Sequence, residues 1–524
     1  MIERQATKLK NIKIFLLLLV FSVFTVACSS KSESGASSEE KAGSESSVKK
    51  TDNTLIIGLD DDPPQLDPHR SSAAVDRQVF HSLFNTLIDI DENLEFVPEL
   101  AKEWTISEDE LTYTFKLQEG VQFQDGTPFN AEAVKFNFDR MLDPNFSSPR
   151  LSEINLVLAV NVIDEYTVEI VLSKPYAPFL ANLTDRAGMM VSPTAVKKLG
   201  DNFANQPVGT GPYKFVERVP QSHIKLTRFD GYWGEKPSVE NVEFRPFSDS
   251  TVRITNLVSG DLDLVNKVAF KDIDKLKKDP NIKLMEKDAL GFQGIHLNTS
   301  VEPFNNKAVR QAVNLAIDRE AIAEVVFHNG AVPSVSPFAP MSWAAPDFKQ
   351  PKADVKKAKQ ILADAGLKNI SFTLKLSPSP EEEQMAQMIQ SMLKQVGIDM
   401  KIEMVEFGAL LDQLDSGDFQ AVRNGWSGRI DPDGNTYRFF YSGASNNYTR
   451  YSNPEVDTLL DKARTIGDQK QRAEMYKEVS DILWDDAPYI FIYHEIDYKA
   501  MKSYVKGFKH IPDTMIRTDS ISFE

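Results

Sequence analysis

The chain holds one cysteine in 524 residues, so no intramolecular disulfide can staple it and packed cores alone must hold its fold. Hydrophobic residues make up 41% of it, enough to build such cores. A chain of this length exceeds the size at which a single core keeps growing, about 250–300 residues, and is expected to divide into at least two lobes.

Cys28 stands where an apolar run stops. Lys8, Lys10 and Lys13 precede Ile14 to Val26, and Ala27 closes the run. That run has the length of a signal-peptide core and is too short to span a bilayer. The string Phe24-Thr25-Val26-Ala27-Cys28 resembles the bacterial lipoprotein cleavage box, with Thr25 where that box usually has Leu. The resemblance implies that residues 1–27 are a removed signal peptide and that Cys28 carries the lipid. Residues 28–50, rich in Ser, Gly, Glu and Lys, have too little apolar surface to fold and read as a flexible leash. A buried free cysteine, or a secreted chain whose signal peptide merely contains Cys28, is the alternative. The expected location is the extracytoplasmic face of a bacterial cell membrane.

Losing residues 1–27 removes Arg4, Lys8, Lys10, Lys13 and Glu3, a net +3, which takes the chain from −17 to −20. So acidic a body gives no electrostatic support for nucleic acid or for an anionic membrane surface, both of which need clustered Lys or Arg.

The leash ends at a predicted strand, Leu55 to Leu59, and a helix follows at about Ala73 to Phe84. Leu111, Tyr113, Phe115 and Leu117 alternate with polar residues as a half-buried strand does. Asn130 suits an N-cap for a helix whose stripe is Val134, Phe138 and Met141. Further strands at about 167–172, 213–216, 223–229 and 242–247 make this half strand-rich. From about Gly291 the texture changes. Strands at 293–298, 371–376, 399–405, 419–425 and 489–494 alternate with helices at 306–317, 319–327, 354–365, 381–396, 454–465 and 470–484, the pattern of an α/β sheet. A long polar loop separates 425 from 454.

Several segments resemble one family. They are Leu111 to Val121 (LTYTFKLQEGV), Asp125 to Val134 (DGTPFNAEAV), Gly209-Thr210-Gly211-Pro212-Tyr213, Phe304 to Ala312 (FNNKAVRQA), and Gly425-Trp426-Ser427-Gly428 followed by Asp431-Pro432-Asp433. Five motifs in this order are similar to the extracytoplasmic solute-binding proteins of family 5, which serve ATP-driven importers of oligopeptides, dipeptides, glutathione and nickel chelates. The resemblance runs from about Thr54 to the C-terminus. It implies an α/β, two-lobed periplasmic-binding-protein-like fold, type II and of the large peptide-binding subclass, with a two-segment hinge. Lobe 1 would be 51–288 plus 490–524, and lobe 2 would be 289–489. The family's mode of action implies a monomer that closes on its solute and is read by a permease and its ATPase subunits, with no cofactor.

The signature motifs themselves read as structural. Gly209 to Pro212 lacks the Lys and helix start of a phosphate loop and suits a backbone turn. The segment expected to touch ligand is Arg423 to Asn435, a strand that ends in Gly and Trp and gives way to charges and turn residues. In dipeptide-binding relatives the position after Trp-Ser/Thr-Gly is an Asp that pairs with the peptide's amino terminus. Here it is Arg429, which suits a carboxylate held bidentately. The Arg with which those relatives grip the ligand's carboxylate has no counterpart in Ser377-Pro378-Ser379-Pro380. An anionic or zwitterionic ligand, such as a glutathione-like or modified peptide, is expected in place of a simple α-dipeptide. Candidate ligand residues are Trp426, Ser427, Arg429, Asp431, Arg186, Ser71, Ser72 and Tyr448. For each, an internal ion pair or a structural aromatic is the competing role.

The chain has no HExxH, GxSxG or Walker motif, and Cys28 lies in the leader, so a lipid-anchored hydrolase is a remote reading. A nickel or metal-chelate binder of the same fold would have only His69 as a candidate ligand and no expected metal site. A peptide sensor or pheromone receptor would look the same in sequence.

Overall fold

The computed structural model describes residues 52–346 and 352–524. Cys28, the signal peptide and the leash lie outside the described residues.

One sheet of twelve strands organises the molecule. Its order is Ile398–Met404, Ile370–Leu376, Ala421–Trp426, Phe292–Leu297, Tyr489–Lys502, Leu264–Val265, Thr54–Leu59, Asn241–Pro246, His223–Arg228 and Tyr213–Val219. Ile282–Asp288 and Ala331–Pro333 also pair with Tyr489–Lys502. Neighbours run parallel where a helix returns the chain, as between Ile370–Leu376 and Ile398–Met404, which flank the helix Pro380–Gln395. A separate four-stranded antiparallel sheet orders Ala101–Ile106, Thr112–Leu117, Thr167–Leu172 and Val157–Asp164.

Local sequence explains most helix ends. Asn130, Asn306, Asp318, Asp354 and Ser379 each cap a following helix by accepting a backbone N–H. Three expectations change. The first helix is Arg77–Leu83, shorter than expected at its start. The last expected strand does not stop at His494 but continues to Lys502. The expected loop 425–454 also contains a helix, Asp433–Phe440, whose opening Asp-Gly-Asn-Thr gives no apolar period to read.

The apolar cores fall into two groups. One is built from residues between Leu55 and Ile282 together with Tyr498 to Ile521. The other is built from Phe292 to Tyr493. Phe270 packs against clusters of both groups, its ring centroid 5.1 Å from that of Phe327. The chain passes between the groups twice, at 283–291 and at 494–497, and the long strand Tyr489–Lys502 carries the second passage. The glycine turn at 209–211 is a close approach. A Cβ on Gly209 would lie 2.3 Å from the Leu83 carbonyl oxygen, and one on Gly211 would lie 2.5 Å from the Leu83 carbonyl carbon.

His494 ties the two passages together. Its Nδ1 lies 2.7 Å from the Gly291 carbonyl oxygen and its Nε2 2.7 Å from Ser334 Oγ. Burial pushes the imidazole pKa down to about 4. The unfolded chain therefore takes up this proton first, so the stability His494 contributes is complete above pH 6.5 and is lost as pH falls toward 4. In a His494→Gln variant the amide can donate to Gly291 and accept from Ser334, yet it does not titrate. Its stability is expected to fall less steeply below pH 6.5, by about 1.4 kcal/mol per pH unit. Urea midpoints at pH 6.5 and 4.5 check this, and identical slopes in both proteins would contradict it.

Candidate functional site

A cavity of about 320 Å³ opens where the two core groups face each other. Five arginines line it. Arg77, Arg150 and Arg186 come from the first stretch of chain, and Arg429 and Arg438 come from the stretch after Phe292. Ser72, Ser152, Ser427, Ser445, Asn446 and Trp426 supply most of the remaining wall.

Arg77 opens the helix Arg77–Leu83, and its Nε donates to Asp185 Oδ1 at 3.0 Å. Arg186 is 3% exposed, and its Nη1 donates to the Ser71 carbonyl oxygen and Oγ, both at 3.2 Å. Its Nε has no hydrogen-bond partner, and burial brings its pKa down to about 10. Arg150 pairs with Glu153. Asp185 is the common counter-ion: burial would raise its carboxyl pKa, but Arg77, Arg186 and Arg429 outweigh that and hold it well below the usual range.

The wall after Phe292 is set by a tight loop. Gly428 takes φ +82°, and a Cβ there would lie 2.3 Å from the Leu290 carbonyl carbon. Gly291 is packed as closely, 2.1 Å from the Trp426 oxygen by the same measure. Asn435 staples the loop, accepting from the Arg429 N–H at 2.8 Å and from Trp426 Nε1 at 3.1 Å while donating to the Arg429 oxygen at 2.9 Å. Arg429 is thereby held with its Nε 3.9 Å from Asp185 Oδ2 and its guanidinium 4.4 Å from the Trp426 ring centroid. Burial pulls its pKa well below the usual value, the Arg77 and Arg186 charges add to that, and Asp185 opposes them. Arg438 sits 5.5 Å from the same ring centroid, and its Nη2 donates to Ser152 Oγ at 3.3 Å.

Of the residues expected from sequence, Trp426, Ser427, Arg429, Arg186 and Ser72 meet at this cavity. Three do not, and each has a visible reason. Asp431 is 9% exposed, with its two oxygens 2.7 and 2.9 Å from the Arg472 guanidinium, so it braces the loop from behind. Ser71 is fully buried; its hydroxyl donates to Asp76 at 2.7 Å while its carbonyl supports Arg186. Tyr448 packs edge-on to His296 with its hydroxyl taken by Asn446, and its neighbours Ser445 and Asn446 face the cavity instead. His69 is buried with Nε2 at the Met189 oxygen and Nδ1 at Arg140, so neither ring nitrogen is available to a metal. Among the described residues no group of three or more His, Cys, Asp or Glu side chains could hold a metal ion. Arg77, Arg150 and Arg438 were missed. Each lies in a segment with no motif, and only the tertiary assembly brings it to the cavity.

Two core groups joined by two passages, with a polar cavity between them, define a solute-binding protein of the two-lobed periplasmic type. Residues 95–448 match the family model of the bacterial extracellular solute-binding proteins, family 5, and the chain belongs to that family. It is 31% identical over 474 residues to the glutathione-binding protein GsiB of Pectobacterium atrosepticum, covering 88% of this chain and 92% of that one. Among solved structures it is similar to the periplasmic binding protein DppA of Helicobacter pylori in complex with the peptide STSA, with TM-score 0.80, 30% identity and coverage of 90% and 98%. It is also similar to the oligopeptide-binding protein AppA of Bacillus subtilis in complex with a nonapeptide, with TM-score 0.81, 28% identity and coverage of 91% and 100%.

Proposed function

We propose that this chain is the solute receptor of an ABC importer, held at the outer face of the cell membrane through a lipid on Cys28. It captures a peptide or peptide-like solute in the arginine-lined cavity and presents it to a membrane permease. In this reading lobe 1 is 51–288 plus 490–524, lobe 2 is 289–489, the two passages are the hinge, and the protein works as a monomer that binds without transforming its solute.

The observation that carries the reading is that both halves contribute to one cavity and also touch around it. Ala177 N donates to the Arg464 oxygen at 2.8 Å and Arg464 Nη2 donates to Tyr176 Oη at 3.2 Å, while Arg438 reaches Ser152. Such contacts exist only when the halves are together. A solute that touches both walls stabilises that state by its differential affinity for it. Arg429, held by Asn435 and facing the cavity, suits a carboxylate of the solute.

Native mass spectrometry of protein purified without unfolding is expected to find a co-purified small solute. Small-angle scattering is expected to show compaction when that solute is returned to stripped protein. A solute that binds with no change in the radius of gyration would remove the clamp from this account.

A further inference from the structure

The balance of charge in the cavity says more about the solute than its shape does. Five guanidiniums line the wall, and the carboxylates in ion-pair contact with them are Asp185 and Glu153. That leaves a surplus of three positive charges. Among the described residues no Asp or Glu lines this cavity. Asp185 and Asp513 line a smaller pocket that shares Arg77, Ser427 and Arg429 with this one, but Asp185 already meets Arg77, Arg186 and Arg429, and Asp513 meets Arg517. An ammonium group on the solute would find no free carboxylate. Nor would it find an aromatic face, because the one ring in the wall, Trp426, already has Arg429 at 4.4 Å and Arg438 at 5.5 Å from its centroid. The other polar lining groups are serine hydroxyls and the Asn446 amide, which can donate to an anion. The Arg186 Nε–H, 3.8 Å from Asp185 Oδ1, is buried and makes no hydrogen bond. The surplus is also divided: Arg77, Arg150 and Arg186 set against Asp185 and Glu153 leave one charge on one half, and Arg429 and Arg438 leave two on the other. Bringing the halves together without an anion sets these like charges against one another.

Building on the reading of this cavity as the solute site, we propose that its ligand is a compact polyanion with at least two acidic groups, one for the arginines of each half, and that the site makes no use of a free amino group. The volume, at the lower end of the roughly 300–1,000 Å³ typical of small-molecule pockets, limits the solute to about the size of a two- or three-residue peptide. Such a solute acts as the counter-charge that lets the halves close. A neutral zwitterion of the same size brings one acidic group and a further cation, and so leaves the surplus uncompensated.

The test is calorimetry on the full mature chain, stripped of co-purified solute, with four probes. N-acetyl-Glu-Glu has three carboxylates and no ammonium, Glu-Glu restores the ammonium, trialanine is a zwitterion of similar size, and N-acetyl-phosphoserine-Glu replaces a carboxylate by phosphate. N-acetyl-Glu-Glu is expected to bind about 100-fold more tightly than trialanine, a difference of about 2.8 kcal/mol, and within about threefold of Glu-Glu. Raising salt from about 0.05 M to about 0.5 M is expected to weaken it about tenfold or more. Either polyanion binding best supports the proposal, and which of the two does so tells phosphate from carboxylate. Trialanine binding as well as the polyanions, acetylation abolishing binding, or neither polyanion binding at about millimolar concentration overturns it. Arg438→Ala and Arg150→Ala separate the two levels of the argument. If they change the affinity of a trialanine that binds well, the cavity is the solute site but the charge inference is wrong. If a polyanion binds and neither variant alters its affinity, the cavity is not the solute site and both readings fall.

Discussion

An Arg429→Asp variant is expected to lose its solute while keeping its fold. The substitution takes a positive charge from the cavity wall and sets a carboxylate beside Asp185, which the wild-type Arg429 approaches to 3.9 Å. Removing one member of a desolvated, hydrogen-bonded charge pair costs roughly 2–5 kcal/mol, and the added repulsion places this variant toward the upper end. In dissociation constant that is a loss of about 1,000-fold or more. The fold should survive, because the guanidinium gives the empty protein a hydrogen bond to the Gly428 oxygen, a face against Trp426 and one of three arginine contacts to Asp185, of which Arg77 and Arg186 remain. The loop's own geometry comes from Asn435 bonding the Arg429 backbone, which any residue supplies.

Arg429→Lys separates charge from shape. It keeps the charge but not the planar fork or the stacking, so about a tenfold loss is expected. Calorimetry with the co-purified solute ranks the three proteins. Wild-type affinity in Arg429→Asp, with circular dichroism unchanged, would place the solute away from this wall.

That Arg429 could be picked out at all shows what the chain discloses by itself. Period-two apolar alternation, capping Asn and Asp residues, and five motifs in fixed order were enough for the two-lobed fold. They also pointed to the loop after Trp426, because charges and turn residues that follow a strand end have to face something. The signal stopped where contacts join distant segments. Asp431 sits two residues from Arg429 in a string of polar residues and looks like an equally good ligand group. What decides its role is Arg472, 41 residues further on in the helix Gln469–Asp486. Arg150 and Arg438 illustrate the converse, with unremarkable surroundings in sequence and adjacent places in the cavity. Local chemistry announces caps, turns and strand faces, while the partner of a long side chain depends on how the elements pack.

The same pair yields the second large effect. The loop that carries Arg429 is gripped from behind by two arginines: Arg472 holds Asp431 through two hydrogen bonds, and Arg464 lies 3.0 Å from Asp433. Arg472 also donates to the Ala463 oxygen at 2.8 Å and reaches Tyr476 Oη at 3.3 Å. An Arg472→Met variant strands the Asp431 carboxylate in a buried site beside Asp433. Burial, with the nearby Asp431 charge adding to it, already pushes the Asp433 pKa up to about 6 against the pull of Arg464. Breaking a buried pair from one side costs about 3–5 kcal/mol, mostly because the surviving charge is left without a partner. Removing both members should cost much less. Asp431→Leu combined with Arg472→Met is therefore expected to be more stable than Arg472→Met alone, by about 2 kcal/mol or more.

Urea midpoints for wild type, both single variants and the double variant close the cycle. If the double variant is destabilised by the sum of the singles, the two side chains act independently and the pair is not the brace described above. Solute affinity provides a separate reading on the same four proteins. Because Asn435 still staples the Arg429 backbone, the double variant should recover stability while its affinity stays below wild type, since nothing then draws the Asp431 end of the loop toward the helix Gln469–Asp486. Full recovery of both would mean that Arg429 takes its position from Asn435 alone.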